Sequence, residues 1–218
     1  MKIQEAGSSL IKRTRKKLGH RIVQFSPPRS GSTLAYNLLR EIFTFSHIEK
    51  THILLPKHMK HKIVATYRHP LDSIASCIQC YNQSPTPEVI QQQITEFEKN
   101  GIYDILELMD TENCLLLRYE DFVNDLPFLL DSIERFFEIR LRQEKRDILI
   151  EKYNVDSVSS QIQAFDDFSE YDDISQFHGN HISKYKGQPN YYKTFFTKEQ
   201  TELLKNHFGT YMKKLAYE

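Results

Sequence analysis

Two short segments, each of which follows a predicted strand and opens a predicted helix, constrain this chain most. The first, residues 26–33, lies between an apolar run at residues 21–25 and an amphipathic pattern at residues 34–43. A strand that turns through Ser and Gly into a helix presents free backbone N–H groups, and the helix dipole favours a phosphate or a sulfate there. Gly31 allows close approach of the backbone, and Arg29 adds a forked cation. Hydroxyl donors come from Ser30, Ser32 and Thr33.

The first segment differs from the phosphate loop of nucleotide hydrolases, G-x-x-x-x-G-K-[ST]. That pattern requires Gly at the position of Ser26 and Lys at the position of Ser32, and both are missing. The cation stands before Gly31 instead, at Arg29. We therefore expect this loop to hold one phosphate group rather than a Mg²⁺-bound triphosphate.

The second segment also joins a predicted strand to a predicted helix and carries a cation at the end of the strand. Residues 62–67 form a strand candidate, and Arg68 stands at its end. Pro70 suits the first turn of a helix, and Asp72 favours a helix start. Ser76 then falls about one turn into that helix, where it and Arg68 can converge on a second anion. Two anion sites at two strand ends predict a ligand with two separated phosphate groups.

Together the two segments resemble those of sulfotransferases that use 3′-phosphoadenosine 5′-phosphosulfate (PAPS). The family's P-[KR]-S-G-[ST]-[ST] loop matches residues 28–33, and its R-x-P-x-D-x-x-x-S segment matches residues 68–76. The resemblance implies that the first loop holds the 5′-phosphosulfate through Arg29, Ser30, Gly31, Ser32 and Thr33. It implies that Arg68 and Ser76 bind the 3′-phosphate.

The triplet Lys50-Thr51-His52 ends the second strand candidate and resembles the K-T-H of cytosolic sulfotransferases. A His beside a phosphosulfate can act as the general base on an acceptor hydroxyl, and a Lys can stabilise the leaving oxygen. The predicted catalytic residues are therefore His52, Lys50 and Arg29. The stretch between Thr33 and Lys50 is shorter than the acceptor-binding insertion of the larger enzymes. A structural role for His52, one of nine histidines, is the alternative.

Two later segments also resemble this family. Residues 118–121 match a strand that ends in R-Y-E-D, whose Tyr lies against adenine, so Tyr119 is either a nucleotide contact or a core aromatic residue. Lys186 and Gly187 match part of an R-K-G loop that closes over the 3′-phosphate. Tyr185 stands at the Arg position, and Lys184 is a candidate for the missing charge. The alternative for this loop is an ordinary polar connection.

Composition limits the class of protein further. The 29 basic and 29 acidic residues give a formal net charge of zero, which argues against a general nucleic-acid binder. No stretch approaches the roughly 20 apolar residues that span a bilayer. Three cysteines give no disulfide framework or zinc pattern, so we expect no metal and a reducing, cytoplasmic location. Residues 1–20 include a basic arm or helix, which we interpret as solvated rather than ligand-binding.

Short apolar strands that alternate with helices predict an α/β fold with a parallel sheet flanked by helices on both faces. We expect one P-loop-like domain of three layers over residues 21–218. We also expect a helix at residues 121–137, irregular chain at residues 153–192, and a last helix capped by Thr197. Ligands of such sheets bind beyond the carboxyl ends of the strands, where both anion-binding turns lie.

These observations predict a PAPS-dependent sulfotransferase that modifies a hydroxyl or amine of a small-molecule or saccharide acceptor. Two alternatives stay open, a nucleotide or small-molecule kinase of related fold and a non-catalytic nucleotide-binding module. Mg²⁺-dependent ATP turnover distinguishes the kinase, and tight bisphosphate binding without sulfate transfer distinguishes the module. The sequence leaves the acceptor and the oligomeric state open.

Overall fold

The computed structural model of the protein describes residues 21–217 except residues 168 and 184. A four-stranded, fully parallel sheet forms its centre, in the order β2-β1-β3-β4. The strands are β1 (Arg21–Phe25), β2 (His47–Thr51), β3 (Lys62–Tyr67) and β4 (Cys114–Arg118). The basic arm at residues 1–20 and Lys184 lie outside the described residues, so their predicted roles stay predictions.

Helices follow the strands and cover the sheet. In chain order they are α1 (Ser32–Ile42), α2 (Pro70–Cys80), α3 (Pro87–Lys99), α4 (Asp104–Glu107), α5 (Tyr119–Phe122), α6 (Leu126–Phe137), α7 (Gln143–Tyr153), α8 (Val155–Ile162), α9 (Tyr192–Phe195) and α10 (Lys198–Lys214). A short 3₁₀ turn, His58–Lys60, precedes β3.

The core has two halves, one on each face of the sheet. Because side chains alternate along a strand, Ile63 and Ala65 of β3 pack on one face, whereas Val64 packs on the other. Helices α2, α3 and α10 cover the first face, and α1, α6 and α7 cover the second. The predicted three-layer α/β arrangement is therefore confirmed.

The strand order places both predicted anion-binding turns side by side. The chain leaves β1 for β2 on one side of the sheet and then crosses to β3 on the other side. This reversal puts the carboxyl ends of β1 and β3 next to each other, and a crevice opens between the two connections that follow them. The turns before α1 and α2 both border that crevice.

Local capping explains where several helices begin. Thr197 forms a capping box with Gln200 at the start of α10, as predicted. The prediction of one helix over residues 121–137 was wrong. The Asp125 side chain accepts a hydrogen bond from the Phe128 amide at 2.9 Å and starts α6 separately from α5.

The prediction of irregular chain over residues 153–192 was also partly wrong. It contains α8, whose start is capped by Asn154, which accepts from the Ser157 amide at 2.8 Å. Its last residue, Tyr192, is the first residue of the short helix α9.

Candidate functional site

The connection from β1 to α1 is a tight turn that brings backbone amides to one end of the sheet. Gly31 begins α1 in the left-handed region, with φ of 86°, and Arg29 has φ of 59°. A Cβ on Gly31 would lie 2.8 Å from the Phe122 ring, so only glycine fits here. The turn thus presents the N-terminus of α1, with Ser32 and Thr33, to a cavity of about 800 Å³.

Ser30 differs from the other hydroxyl residues of this turn. Its side chain is fully buried, and its Oγ donates to the Pro27 carbonyl at 2.6 Å. The hydroxyl therefore stabilises the turn itself. The predicted role of this hydroxyl as a ligand donor would require it to leave the Pro27 carbonyl.

Arg29 joins the first turn to the second one. Its Nε donates to Ser76 Oγ at 3.0 Å, and one of its terminal nitrogens donates to the His181 carbonyl at 2.8 Å. Ser76 lies about one and a half turns into α2, which begins at Pro70. The guanidinium consequently lies between α2 and the loop around His181, at the wall of the same cavity.

Arg68 follows β3 and is almost completely buried. Its two terminal nitrogens donate to the carbonyls of Arg29 and Gly187, each at 3.2 Å. Its guanidinium also stacks over the Tyr119 ring, 4.2 Å from the ring centre. The Nε of Arg68 is buried without a hydrogen-bond partner among the described residues. Such a donor suits an anionic oxygen.

Lys50 reaches from β2 across the mouth of the first turn. Its ammonium donates to Thr33 Oγ1 and to Gln176 Oε1, both at 2.9 Å. Burial, together with the nearby charge of Arg29, lowers the pKa of Lys50 to about 8. A cation whose solvation is this poor gains from an anionic ligand beside Thr33.

His52 stands just beyond the end of β2. Its Nδ1 lies 2.6 Å from the Ser26 carbonyl, a distance that fits an Nδ1–H donor. This tautomer leaves the lone pair on Nε2, and His52 borders the cavity. Burial lowers the pKa of His52, so the ring is neutral at pH 7.

Tyr119 belongs to the core and to the cavity wall at once. Its ring packs against Phe122, and its hydroxyl donates to the Gly187 carbonyl at 3.0 Å. Gly187 has φ of 73°, and a Cβ there would lie 2.2 Å from that hydroxyl. Tyr119 therefore fixes the loop that carries Gly187 against the end of β4.

Lys186 borders the cavity but its ammonium is directed elsewhere. It pairs with Asp156 of α8 at 2.7 Å, and both side chains are largely exposed. The fold thus brings together Arg68, Ser76 and Arg29. The ammonium of Lys186 lies away from them, on Asp156.

Sequence reasoning missed several residues of the cavity wall. Gln176, His178 and His181 lie on the irregular stretch before Gly187, and Tyr81 and Asn100 border the same space. Burial and nearby cations lower the pKa of His178 to about 4 and hold the pKa of His181 well below its usual range. Neither periodicity nor a motif identifies them. From the sequence, His178 and His181 are only the next candidates for the base after His52, because they lie just before the loop at Gly187.

Asp72 has a role that the helix-start interpretation did not include. Its buried carboxylate accepts from the amides of Asn190 and Tyr192, at 2.7 and 2.8 Å. Burial raises the pKa of Asp72 in spite of these bonds and of the nearby Arg68. Asp72 thereby ties the chain that follows Gly187 to the start of α2.

In the part of the chain that the structure describes, no group of three or more His, Cys, Asp or Glu side chains is arranged to hold a metal ion. Nor is any helix there long and apolar enough to cross a membrane.

Solved structures with the same fold include the mouse sulfotransferase SULT7A1 in complex with PAP. It is 17% identical, covers 88% of this chain and 84% of its own, and has a TM-score of 0.67. A retinol dehydratase in complex with retinol and PAP is 16% identical, with 88% and 81% coverage and a TM-score of 0.65. The retinol dehydratase in complex with androsterone and PAP is 15% identical, with 88% and 80% coverage and a TM-score of 0.64.

Among curated proteins, a 3-alpha-hydroxysteroid sulfotransferase of Cavia porcellus is 29% identical over 116 residues. The aligned part is 46% of this chain and spans only 40% of that relative's length. The family model described as Sulfotransferase domain matches residues 46–216, well over half of the chain. The chain therefore belongs to the sulfotransferase domain family.

Proposed function

We propose that this protein transfers a sulfuryl group from PAPS to a hydroxyl or amine of an acceptor. One observation carries the proposal: the two anion-binding turns meet at one cavity and are linked directly. Arg29 of the first turn donates to Ser76 of the second at 3.0 Å, and its carbonyl accepts from Arg68 at 3.2 Å. A ligand with a phosphosulfate at one end and a phosphate at the other fits two such linked sites.

The residues present fit that co-substrate. The N-terminus of α1, with Ser32, Thr33 and the cation Arg29, suits the 5′-phosphosulfate. The unpartnered Nε of Arg68 and the hydroxyl of Ser76 suit the 3′-phosphate. Tyr119 offers a ring at the cavity wall for the base, and the Gly187 backbone passes close to it. In the sulfotransferase motif that Lys186 matches, the lysine loop closes over the 3′-phosphate. For Lys186 to make that contact here, its ammonium must first leave Asp156.

The chemistry assigned to the site is an in-line transfer. PAPS supplies the activated sulfuryl group. The acceptor oxygen or nitrogen forms a bond to sulfur while the bond from sulfur to the bridging oxygen breaks, and adenosine 3′,5′-bisphosphate (PAP) leaves. His52 takes the acceptor proton on Nε2, since Nδ1–H is held by the Ser26 carbonyl. Lys50 and Arg29 stabilise the charge that develops on the departing oxygen.

The acceptor side of the cavity lies around His52. Tyr81, Asn100 and Cys80 border the cavity together with Tyr171, and this mixture of rings and small polar groups suits a small-molecule or saccharide acceptor. We further propose a reducing compartment, the cytoplasm. Cys77, Cys80 and Cys114 are unpaired, and burial raises the pKa of Cys77 and of Cys114 to about 12.

Nucleotide binding tests the two-phosphate site first. Titration calorimetry should give PAP a lower Kd than AMP and than ATP, by tenfold or more, because one charge-assisted contact contributes about 1.5–3 kcal/mol. Equal affinity for PAP and AMP would overturn the assignment of Arg68 and Ser76.

Transfer is tested separately. An acceptor screen with sulfur-labelled PAPS should find a labelled product and release PAP. Tight PAP binding without transfer to any acceptor would instead support a non-catalytic nucleotide-binding module. Mg²⁺-dependent ATP turnover would support a kinase.

A further inference from the structure

Gln176 lies in a segment that covers the phosphosulfate end of the cavity. We call residues 171–178 the cover segment. Tyr171 and His178 pair as an isolated antiparallel bridge at its two ends. In between, the Asn37 side chain donates to the Ser175 carbonyl at 2.7 Å, and Arg40 donates to the Ile174 carbonyl. The cover segment is thereby attached to α1, the helix that follows the first anion-binding turn.

The backbone of Gln176 is held in a conformation that is unusual for its residue type. Its φ is 56°, in the left-handed region, which costs roughly 1–2 kcal/mol for a residue other than glycine. Its amide donates to the Asp172 carbonyl at 2.7 Å, so the turn is well defined. This conformation brings the Gln176 side chain to Lys50.

The contact with Lys50 has a consistent geometry. An ammonium has three N–H donors. Thr33 Oγ1 of α1 and Gln176 Oε1 of the cover segment each accept one of them at 2.9 Å. With two donors fixed, the direction of the third is fixed as well, and it remains available to a ligand oxygen beside Thr33.

The neutrality of Gln176 matters as much as its position. Among the described residues, the other charged or titratable groups near Lys50 come from every element around it: Arg29 from the first turn, Tyr36 of α1 with its ring centre 5.9 Å from the ammonium, His52 beyond β2, and His178 and His181 from the cover segment and the loop after it. A carboxylate at position 176 would neutralise the ammonium and compete with the sulfuryl oxygens for it. An amide oxygen accepts the hydrogen bond and leaves the full positive charge for the ligand.

We propose that Gln176 is a positioning residue that aims the ammonium of Lys50 at the oxygen bridging sulfur and phosphorus. The proposal rests on the proposed sulfuryl transfer. It assigns a functional role to the cover segment, which lies outside the sulfotransferase motifs of the sequence.

Kinetics of three variants separate positioning from simple support of the cover segment. Gln176→Ala should lower kcat by about 10–100-fold and leave the Kd for PAP nearly unchanged, because a misplaced group costs rate. Gln176→Glu should lower kcat and move the alkaline limb of kcat/KM to higher pH, since a carboxylate raises the pKa of Lys50. Arg40→Ala removes a different attachment of the same segment and should change neither value. Equal losses in Gln176→Ala and Arg40→Ala would overturn the proposal.

The contact between Gln176 and Lys50 can also be tested without turnover, which distinguishes its failure from a failure of the proposed function. The rate at which acetic anhydride labels Lys50, followed by mass spectrometry across pH, reports the pKa of its amine. We expect a midpoint near pH 8 in the wild type. The midpoint should be the same in Arg40→Ala and higher in Gln176→Glu. An unchanged midpoint in Gln176→Glu would overturn the contact, whatever the transfer assay shows. A shifted midpoint in a protein that transfers no sulfate would leave the contact standing and reject the proposed function.

Discussion

Lys50 and His52 lie two residues apart, yet the fold gives them different neighbours. Lys50 is bound by Thr33 and Gln176, at the end of the cavity that is proposed to hold the phosphosulfate. The Nδ1 of His52 contacts the Ser26 carbonyl instead, at 2.6 Å. Arg68 lies on the far side of Arg29, against Gly187. These positions separate a residue assigned to proton transfer from a residue assigned to nucleotide binding.

Alanine variants of His52 and Arg68 should therefore fail in different ways. His52→Ala should lower kcat by a factor of about 10²–10⁴ and leave the Kd for PAP nearly unchanged, because it removes only the proposed base. Arg68→Ala should chiefly raise the Kd for PAP. Calorimetry with PAP and initial rates with labelled PAPS measure the two effects.

The matched control is His47→Ala, at the exposed start of the same strand, which should alter neither value. Full turnover by His52→Ala would show that another residue is the base. His178 would be the first to test, because it borders the cavity and its Nδ1 lies 2.5 Å from the Gly179 carbonyl.

Residues of the candidate site were predictable from the sequence where a turn requires that type of residue. Gly31, Arg68 and Ser76 lie in short segments whose backbone geometry follows from strand, turn and helix start, and the structure brings them to one cavity. Gln176 was not predictable, because its role depends on a left-handed backbone and on contacts with residues more than a hundred positions away. Local patterns carry no information of that kind.

At the scale of elements, boundaries were predictable where capping residues mark them. Thr197 caps α10, which begins where the sequence predicts, and Thr86 caps α3 in the same way. Helix α8 was missed because its sequence, VDSVSSQI, is mostly polar and only Val158 is buried. The helix is stabilised by the packing of Val158 and by the Asn154 cap. A mostly polar sequence does not reveal such packing.

The loop at Gly187 and the strand-end residue Tyr119 form one unit, which makes the glycine testable. Gly187→Ala places a Cβ at 2.2 Å from the Tyr119 hydroxyl and at a φ of 73° that alanine disfavours. We expect this variant to weaken PAP binding by tenfold or more, since its carbonyl also orients Arg68. Calorimetry with PAP measures the change.

The control for Gly187→Ala is Gly209→Ala. Gly209 lies inside α10, and a Cβ there would meet no atom within 4 Å. Alanine should stabilise this helix by roughly 0.5–1 kcal/mol and leave PAP affinity unchanged. If both variants bind PAP as the wild type does, the loop does not shape the nucleotide site.

The same loop holds Lys186 away from the proposed 3′-phosphate site. Lys186 pairs with Asp156 on the surface, and such exposed pairs contribute at most about 1 kcal/mol. We expect Lys186→Ala to weaken binding of PAP but not of AMP, because only PAP carries the 3′-phosphate. Asp156→Ala frees the lysine and should improve PAP affinity up to about fivefold.

Hydrogen exchange gives a second measurement on this loop. Added PAP should increase protection of the amides around Lys186 if the loop closes on the nucleotide. Equal protection with and without PAP, together with unchanged affinity in Lys186→Ala, would show that the segment is only a surface connection.

At the scale of the whole molecule, the fold followed from the alternation of apolar strands and helices, because a parallel sheet must be covered on both faces. The family model and the physical reasoning cover partly different residues. The family match begins at residue 46, after the first predicted anion-binding turn. That turn was identified from its strand, its glycine and its helix start, and the structure places it beside Arg68. Tertiary pairing of β1 with β3 is what joins the two sites.

Acid stability is a property of the whole chain that one residue should control in part. His69 caps α2, accepts from the Leu71 amide at 3.3 Å, and stacks on Tyr192 at 4.6 Å between ring centres. Burial, with the nearby cations Lys205, Arg68 and Arg118, lowers its pKa to about 3. Between that value and its unfolded pKa, about 6.5, the unfolded chain binds more protons, so the free energy of unfolding falls as pH falls. His52, His178 and His181 act in the same direction.

His69→Asn should make the free energy of unfolding less dependent on pH. Asparagine can still cap α2 but does not titrate, so the slope between pH 4 and 6 should decrease by up to about 1.4 kcal/mol per pH unit, the value for one proton. Urea midpoints measured across that range give the slope independently of any general loss from the missing ring stacking. His47→Asn, at an exposed position, should keep the wild-type slope. A wild-type slope in His69→Asn would show that His69 is protonated in the folded protein or that its ring lies in water.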